Sequence, residues 1–448
     1  MPVSMIDSAI FRDFFGTEAM RNVFSDEGML EAYCRVEGAL ALVEGRLGLI
    51  PSDAAAAIAA NAKVGNLDMA LIKEQTEIVG YPILPLVRAI AKACPDSTGE
   101  FTHWGATTQD IMDSGLALQL KAAFDIVEAE LDALAGHLAK LAAEHRDTVM
   151  AGRTHLQHAL PLTFGYKAAV WLSGIDRHRE RLAQLRPRVE VGQFAGAAGT
   201  LASLGENGMA VSDALMEELG LGRPSMPWHV ARDGVAESVN FLGLVSGSLS
   251  KMATDIMLMM ATETAEAFEP FVPGRGGSST MPQKRNPISC ELILGAGKVI
   301  RQHAATVMDA MAADFERATG PWHAEWIAVP EAFVLSAGVV AQANFMMAGL
   351  QVQPARMRKN LEMTGGLIVS EAVMMGLAPA LGRNTAHDVV YDACRAANEE
   401  GLSLLEALRR SDEIAGKLPD DELVRLCDPI NYLGQSREML DRFLAERG

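Results

Sequence analysis

The stretch best suited to chemistry runs from Gly274 to Glu291 and reads GRGGSSTMPQKRNPISCE. Its glycines, serines and prolines exclude a continuous helix and favour a mobile loop, and long loops of this kind are usually functional. Pro287 suits the first turn of a following helix. We therefore expect the amides after Asn286 and the side chain of Lys284 to meet at a helix N-terminus, where negative charge is stabilised.

A second polar cluster, HWGATTQD from His103 to Asp110, lies just before a long apolar pattern. Hydroxyls and backbone amides at a helix N-terminus can form a nest for a carboxylate, which makes Thr107 and Thr108 candidate ligands. The alternative is a plain helix cap, a role expected of Asp110 in either case. A cap needs only one side chain, and this cluster supplies several.

Two further clusters carry histidine or arginine. GRTHLQH, from Gly152 to His158, has two imidazoles but no third ligand at a suitable spacing, so it predicts a general acid or base and no metal site. Arg232, in WHVARD, could clamp a substrate carboxylate with two hydrogen bonds. An ion pair with Asp233 or another acid is the slightly favoured alternative.

The elements that must position these clusters are helical. Helix-forming residues dominate and alternating strand patterns are nearly absent, so the sequence predicts an all-α protein. We expect an N-terminal helical domain over 1–109, a central bundle of five long helices over 110–353 with the loop at 271–287, and a C-terminal helical domain over 354–448. The long helices are predicted from about residue 110 and over about 162–188, 234–267, 288–317 and 325–349.

Bulk properties limit the partners. The chain has 448 residues and a net charge of −18, which argues against nucleic acid or anionic membrane as a partner. Its five cysteines show no CxxC spacing, which indicates a reducing cytoplasm and neither disulfides nor a thiolate metal site. We see no signal peptide and no apolar run long enough to span a membrane. The third long helix is apolar around much of its circumference, which predicts a homo-oligomer.

GSSTMPQKRNP (277–287) resembles the signature loop of the fumarase/aspartase superfamily, and GRTHLQHA (152–159) and HWGATTQD (103–110) resemble that family's other active-site segments. Five other segments, among them QFAGAAGTLASLG and DPINYLGQ, read like its 3-carboxy-cis,cis-muconate cycloisomerase branch. The resemblance covers essentially the whole chain. It implies a homotetramer whose bundles form a core of about twenty helices, with each active site built from three subunits.

The resemblance also implies roles. Ser278 would be the base that removes a proton next to a carboxylate, His155 the acid, and Glu291 the partner that sets the tautomer of His155. The substrate would be a small dicarboxylate or tricarboxylate, and no cofactor is implied. The aci-carboxylate intermediate needs preorganised donors. The substrate contacts carried over are Thr107, Thr108, Gln157, Arg232, Ser279, Met281, Lys284 and Asn286.

This chain differs from the cycloisomerase branch at two site positions, and the difference bears on whether the reaction is elimination or lactonisation. In the bacterial cycloisomerases of this branch the position of His155 tends to be tryptophan and that of Glu291 is not acidic. An amine leaving group requires a general acid, so the His155 and Glu291 pair favours C–N elimination from an N-substituted aspartate with release of fumarate. The lactonising cycloisomerase reaction is the alternative. Adenylosuccinate lyase is less favoured, because its additional histidine has no counterpart around Thr76–Gly80. The alternative from another class is a non-catalytic structural protein, as in crystallins related to the family.

Overall fold

The structure is a computed structural model, and it describes residues 4–447. Within them the chain forms eighteen α-helices and two short antiparallel sheets of two strands each, which confirms the predicted all-α class. The N-terminal helices are α1 Arg12–Phe15, α2 Glu18–Phe24, α3 Asp26–Arg46, α4 Ser52–Asn61, α5 Met69–Val79 and α6 Ile83–Ala93. The next elements are α7 Thr108–Glu144, strands β1 Val149–Thr154 and β2 Gln157–Thr163, α8 Phe164–Val189, α9 Gly208–Leu219 and α10 Asp233–Met260. After these come β3 Ala267–Phe268, α11 Ile288–Asp309, α12 Pro321–Ala348, β4 Gln351–Val352, α13 Pro354–Leu361 and α14 Ser370–Leu381. The chain closes with α15 Arg383–Glu400, α16 Leu404–Arg409, α17 Asp420–Cys427 and α18 Ser436–Arg447.

Helix starts follow the expected capping chemistry. Ser25 caps α3, because its hydroxyl accepts a hydrogen bond of 3.0 Å from the amide of Gly28. The five predicted long helices are α7, α8, α10, α11 and α12, and the first two begin within two residues of the predicted positions.

The predicted end of α11 and start of α12 are wrong. The helix expected over 288–317 ends at Asp309, and the next begins at Pro321 instead of residue 325. Asp314 organises the intervening loop, because its carboxylate accepts hydrogen bonds from the amide and hydroxyl of Thr319, at 2.9 and 3.1 Å. Pro321 then supplies the fixed backbone angle of a first helical turn.

The residues divide into two compact units. Among the described residues, the first comprises 4–132, 177–250 and 291–342, and the second comprises 133–176, 251–290 and 343–447. In the first unit the ring of Phe124 on α7 packs edge-on against Phe241 of α10 and Phe333 of α12, with centroids 6.2 and 5.3 Å apart. The three-domain division expected from the sequence stays a prediction.

In the second unit, helices α13–α17 form a core of their own. Val149 and Ala151 of β1 are buried in that core. The hairpin of β1 and β2 is therefore attached at its base to a rigid body, while its far end is exposed.

One helix corrects an expectation about membranes. By length and composition α12 could span a bilayer, although the sequence was expected to contain no such run. However, 67% of its most apolar window is buried inside the protein, which is typical of a core helix.

Candidate active site

The β1–β2 hairpin presents His155 at its tip. Thr154 pairs with Gln157, so His155 and Leu156 form a two-residue turn. Both have positive φ values, 51° and 63°, as a type I′ turn requires. Asn and Gly usually fill such a turn, and non-glycine residues held there cost conformational energy that is often associated with function. His155 and Gln157 are both exposed.

An ion pair to a buried carboxylate holds this hairpin in place. The guanidinium of Arg153 donates two hydrogen bonds, of 2.9 and 2.7 Å, to the carboxylate of Glu266, which is fully buried. Asn360 donates a third hydrogen bond of 2.8 Å to the same carboxylate. Because Glu266 directly precedes β3, the arrangement ties the hairpin that carries His155 to the start of the segment that leads into the glycine-rich loop.

The stem of the glycine-rich loop is closed by backbone contacts. The amide of Asn286 donates to the carbonyl of Gly276 at 2.9 Å. Gly276 has a φ of 67°, and a Cβ there would lie 2.6 Å from the Asn286 carbonyl oxygen, so only glycine fits without strain. Arg285 anchors the same side, lying over the rings of Phe268 and Phe271.

Ser278 lies beyond this stem with its hydroxyl oxygen facing two amides. The Oγ accepts hydrogen bonds from the backbone N–H groups of Thr280, at 3.3 Å, and Met281, at 3.0 Å. Donors that point at an oxygen favour its negatively charged form. Ser279, Met281 and Lys284 are exposed on the same loop, as a substrate-binding segment would require.

The N-terminus of α11 is not open to substrate, contrary to expectation. The carboxylate of Glu269 accepts hydrogen bonds from the amides of Ser289, at 3.2 Å, and Cys290, at 2.9 Å, and it is buried. The negative charge expected at this helix end is therefore supplied by the protein itself. Its effect is to fix the end of the loop onto the helix.

In the first unit, Thr107 directly precedes α7 and Thr108 is the first residue of that helix. The predicted capping role of Asp110 is confirmed, because its carboxylate accepts a hydrogen bond of 3.0 Å from the amide of Thr107. The same carboxylate accepts 2.9 Å bonds from the amides of Ala195 and Gly196, and lies 2.8 Å from Nε2 of His229. This buried hub rigidly fixes the turn that carries the two threonines.

Arg317 is a candidate site residue that the sequence interpretation missed. Its Nη1 donates to the hydroxyl of Thr107 at 3.2 Å, and its Nη2 donates to the carbonyl of Ala197 at 3.1 Å. The residue was hidden because the sequence pattern placed it inside a helix that in fact ends at Asp309. The turn-forming run Ala318–Pro321 was the available signal of a loop.

His103 is the second missed residue. Its Nδ1 lies 2.6 Å from a carboxylate oxygen of Glu37, which is fully buried. Burial alone would lower the pKa of His103, but the charge and hydrogen bond of Glu37 outweigh it, so the pKa is raised. A positively charged side chain is thereby favoured four residues before Thr107.

Arg232 does not have the substrate-clamping role carried over to it. The side chain is buried, with Asp113 receiving hydrogen bonds of 2.8 and 3.0 Å and Glu325 receiving another two, one of them 2.9 Å. Its remaining donor faces the carbonyl of Trp228 at 3.5 Å. All five N–H groups are thus used within the protein, so the ion-pair alternative is correct.

Replacing Arg232 by alanine should destabilise the fold by about 3–5 kcal/mol, because Asp113 and Glu325 would remain buried without a cation. Urea unfolding measures this change. Arg223→Ala is the matched control, since Arg223 and Asp213 form an exposed pair at 3.3 Å whose loss should cost less than about 1 kcal/mol. Equal losses for the two variants would contradict the structural role of Arg232.

The remaining predicted residues divide between the two units. Ser278, His155, Gln157, Lys284 and Asn286 belong to the second unit. Thr107 and Thr108 belong to the first, as does Glu291, which is exposed in the first turn of α11.

Comparisons with known proteins show the family and the fold of the chain. A family model described as lyase matches residues 16–301, and one described as adenylosuccinate lyase C-terminus matches residues 366–443. A 3-carboxy-cis,cis-muconate cycloisomerase of Pseudomonas aeruginosa is 46% identical over 440 residues, covering 98% of this chain and 96% of its own. An N-acetyl-S-(2-succino)cysteine lyase of Dickeya dadantii is 38% identical over 444 residues, covering 99% and 98%. The crystal structure of a fumarate lyase from Mesorhizobium sp. BNC1 has a TM-score of 0.91 at 52% identity, covering 96% of this chain and 98% of that one.

Proposed function

The chain belongs to the fumarase/aspartase superfamily of lyases, and from this premise we propose that it cleaves the C–N bond of an N-substituted aspartate or similar succinyl compound and releases fumarate. The observation that carries the proposal is the environment of Ser278. Two backbone N–H groups point at its Oγ from a loop that also carries Lys284. A serine oxygen held in this way is prepared to act as a base.

In the proposed reaction Ser278 removes a proton from the carbon next to a carboxylate. The negative charge that then develops on that carboxylate needs fixed donors, and Thr107, Thr108, Lys284 and Asn286 supply them. Arg317 joins this set because its guanidinium already contacts the hydroxyl of Thr107. Ser279, Met281 and Gln157 complete the proposed substrate contacts.

His155 supplies the proton to the departing nitrogen in this scheme, and Glu291 sets its tautomer. Exposure of His155 at the end of a tethered hairpin supports a role outside its own unit. A general acid accounts for elimination of an amine, whereas an internal lactonisation has no separate leaving group to protonate.

The proposed assembly is a homotetramer with active sites shared by three subunits. Apolar side chains that a monomer would leave in water support it: Leu156 is 74% exposed, Leu244 on α10 is 55% exposed and Ile327 on α12 is 64% exposed. A small dicarboxylate or tricarboxylate as substrate and a cytoplasmic location remain part of the proposal. Within residues 4–447 the cysteines form no disulfide, which is consistent with a reducing compartment.

A substrate panel tests the proposed reaction. Aspartate, argininosuccinate, iminodisuccinate and nitrosuccinate are incubated with the protein, and fumarate is followed by its ultraviolet absorbance. We expect fumarate from at least one member that carries a nitrogen substituent. If no member of the panel yields fumarate, the C–N lyase proposal is rejected. Normal oligomerisation without turnover of any substrate would favour the non-catalytic alternative.

The second candidate is 3-carboxy-cis,cis-muconate cycloisomerase. The 46% identity to the Pseudomonas aeruginosa enzyme along nearly the full length of both chains favours it. This reading predicts loss of the muconate chromophore when the protein is added to that substrate. A lactone product without fumarate would replace the first proposal by the second.

A further inference from the structure

A cavity of about 710 Å³ lies in the first unit between α3, α5, α7 and α12. Its walls include several aromatic and sulfur-containing side chains, among them Tyr33, Met69, Met112, Trp322 and Trp326. The two tryptophan rings pack edge-on at 5.0 Å, and Tyr81 supports them at 5.7 and 5.9 Å. Cavities of this size and lining commonly hold small organic ligands.

The cavity adjoins the turn that carries the proposed carboxylate ligands. Thr108, Met112, Leu116 and Gln119 are spaced by four, four and three residues, so they share one face of α7. The last three line the cavity, which therefore begins about 6 Å along the helix from Thr108. On α12, Trp322 follows closely after Arg317, the residue that contacts Thr107.

The charges around the cavity disfavour an anion. Four acidic residues line it, Asp26, Glu77, Asp113 and Glu325, against a single basic one, Lys73. Lys73 is paired with Glu77 at 2.9 Å. Arg232 neutralises part of the charge on Asp113 and Glu325. All of its N–H groups already donate hydrogen bonds within the protein. An anionic ligand would meet surplus carboxylates and neither of these cations would be free to bind it.

We infer that this cavity receives the apolar body of the leaving group. It should accept a neutral or cationic leaving group in preference to an anionic one. This inference rests on the proposed C–N elimination. The succinyl carboxylates would stay at Thr107, Thr108 and Arg317, and the substituent on nitrogen would extend along α7 toward Trp322 and Trp326. Aromatic rings attract an organic cation as well as an apolar surface.

The proposed elimination produces a leaving group with a positive charge. The C–N bond breaks, its electron pair stays on nitrogen, and nitrogen receives one proton from His155 while Ser278 takes one from carbon. The products are fumarate and an amine, and an alkylamine is cationic at neutral pH. A surplus of carboxylates around the cavity therefore matches the product that is formed there.

Calorimetric titration of the full-length protein tests the cavity directly with two amines. Benzylamine should bind at least tenfold more tightly than 4-(aminomethyl)benzoate, which differs only by an added carboxylate. Ala70 is an exposed residue of α5 that lines the cavity, so Ala70→Phe should weaken benzylamine binding at least tenfold. Ala56→Phe, at an exposed position of α4 outside the cavity, is the control. Equal binding of the two amines, or unchanged binding to the Ala70→Phe variant, would overturn the inference.

Turnover separates this inference from the proposed function. N-benzylaspartate should release fumarate, and Ala70→Phe should lower its kcat/KM relative to that of aspartate at least tenfold. Fumarate from other N-substituted aspartates but not from N-benzylaspartate would overturn the leaving-group assignment alone. Fumarate from none of them would overturn the proposed function and with it the leaving-group role, whereas the titration would still decide whether the cavity binds an amine.

Discussion

Ser278→Ala should lower kcat for fumarate release by roughly 10³-fold, within the range that a positioned proton-transfer group contributes. The hydroxyl oxygen of Ser278 is the acceptor of two backbone N–H groups, from Thr280 and Met281. Alanine removes this oxygen and leaves the amides directed at empty space. Steady-state rates and KM, measured on the best substrate of the panel, report the change.

KM should change far less than kcat for this variant, because the proposed carboxylate ligands Thr107, Thr108 and Lys284 remain in place. Ser279→Ala provides the comparison within the same loop. As a proposed substrate contact, Ser279 should affect the rate by about tenfold or less, the scale of one lost hydrogen bond. A Ser278→Ala variant that kept a tenth of the activity would exclude Ser278 as the base.

The sequence predicted the loop well because its chemistry is local. Prolines and closely spaced glycines define a segment that cannot be helical, and the structure shows why Gly276 is needed at the stem. The cap at Ser25 and the capping role of Asp110 were predictable for the same reason, since each depends on residues within three positions of one another.

What the sequence did not predict depends on distant partners. Arg232 meets Asp113 and Glu325 across 119 and 93 residues, so no local pattern distinguishes an ion pair from a substrate clamp. Glu269 reaches the amides of α11 across a loop of about twenty residues, and it occupied the site that was expected to be open. Spacing along a chain identifies the residues that share a helix face, but not the group that faces them.

The hairpin at His155 was missed for a different reason. Two-residue turns are usually recognised by Asn or Gly, which tolerate positive φ values, and His155 and Leu156 lack that signal. Tertiary contacts hold the turn instead, through Arg153, Glu266 and Asn360. A strained turn built from an imidazole and a leucine suggests that the side chains, rather than the backbone, determine the residues at this tip.

His155→Ala should separate the two candidate reactions. For a C–N lyase the loss of the general acid should lower kcat by roughly a hundredfold or more, whereas a lactonising cycloisomerase, which has no separate leaving group to protonate, should be nearly unaffected. Fumarate release and loss of the muconate chromophore are the respective assays. Glu291→Gln should reduce the rate in the same direction and by less, because its proposed role acts through His155.

His155→Asn makes the result independent of the strained backbone. Asparagine tolerates the left-handed conformation that the turn imposes, so this variant removes the imidazole while it preserves the hairpin. The Asn and Ala variants should lose fumarate release to a similar extent, and His387→Asn, on the exposed surface of α15, should retain it. If only the alanine variant is impaired, fumarate release requires the conformation of the turn and does not require the imidazole as an acid. If both variants still make fumarate at close to the original rate, proton donation by His155 is excluded, and the departing nitrogen must take its proton from another group.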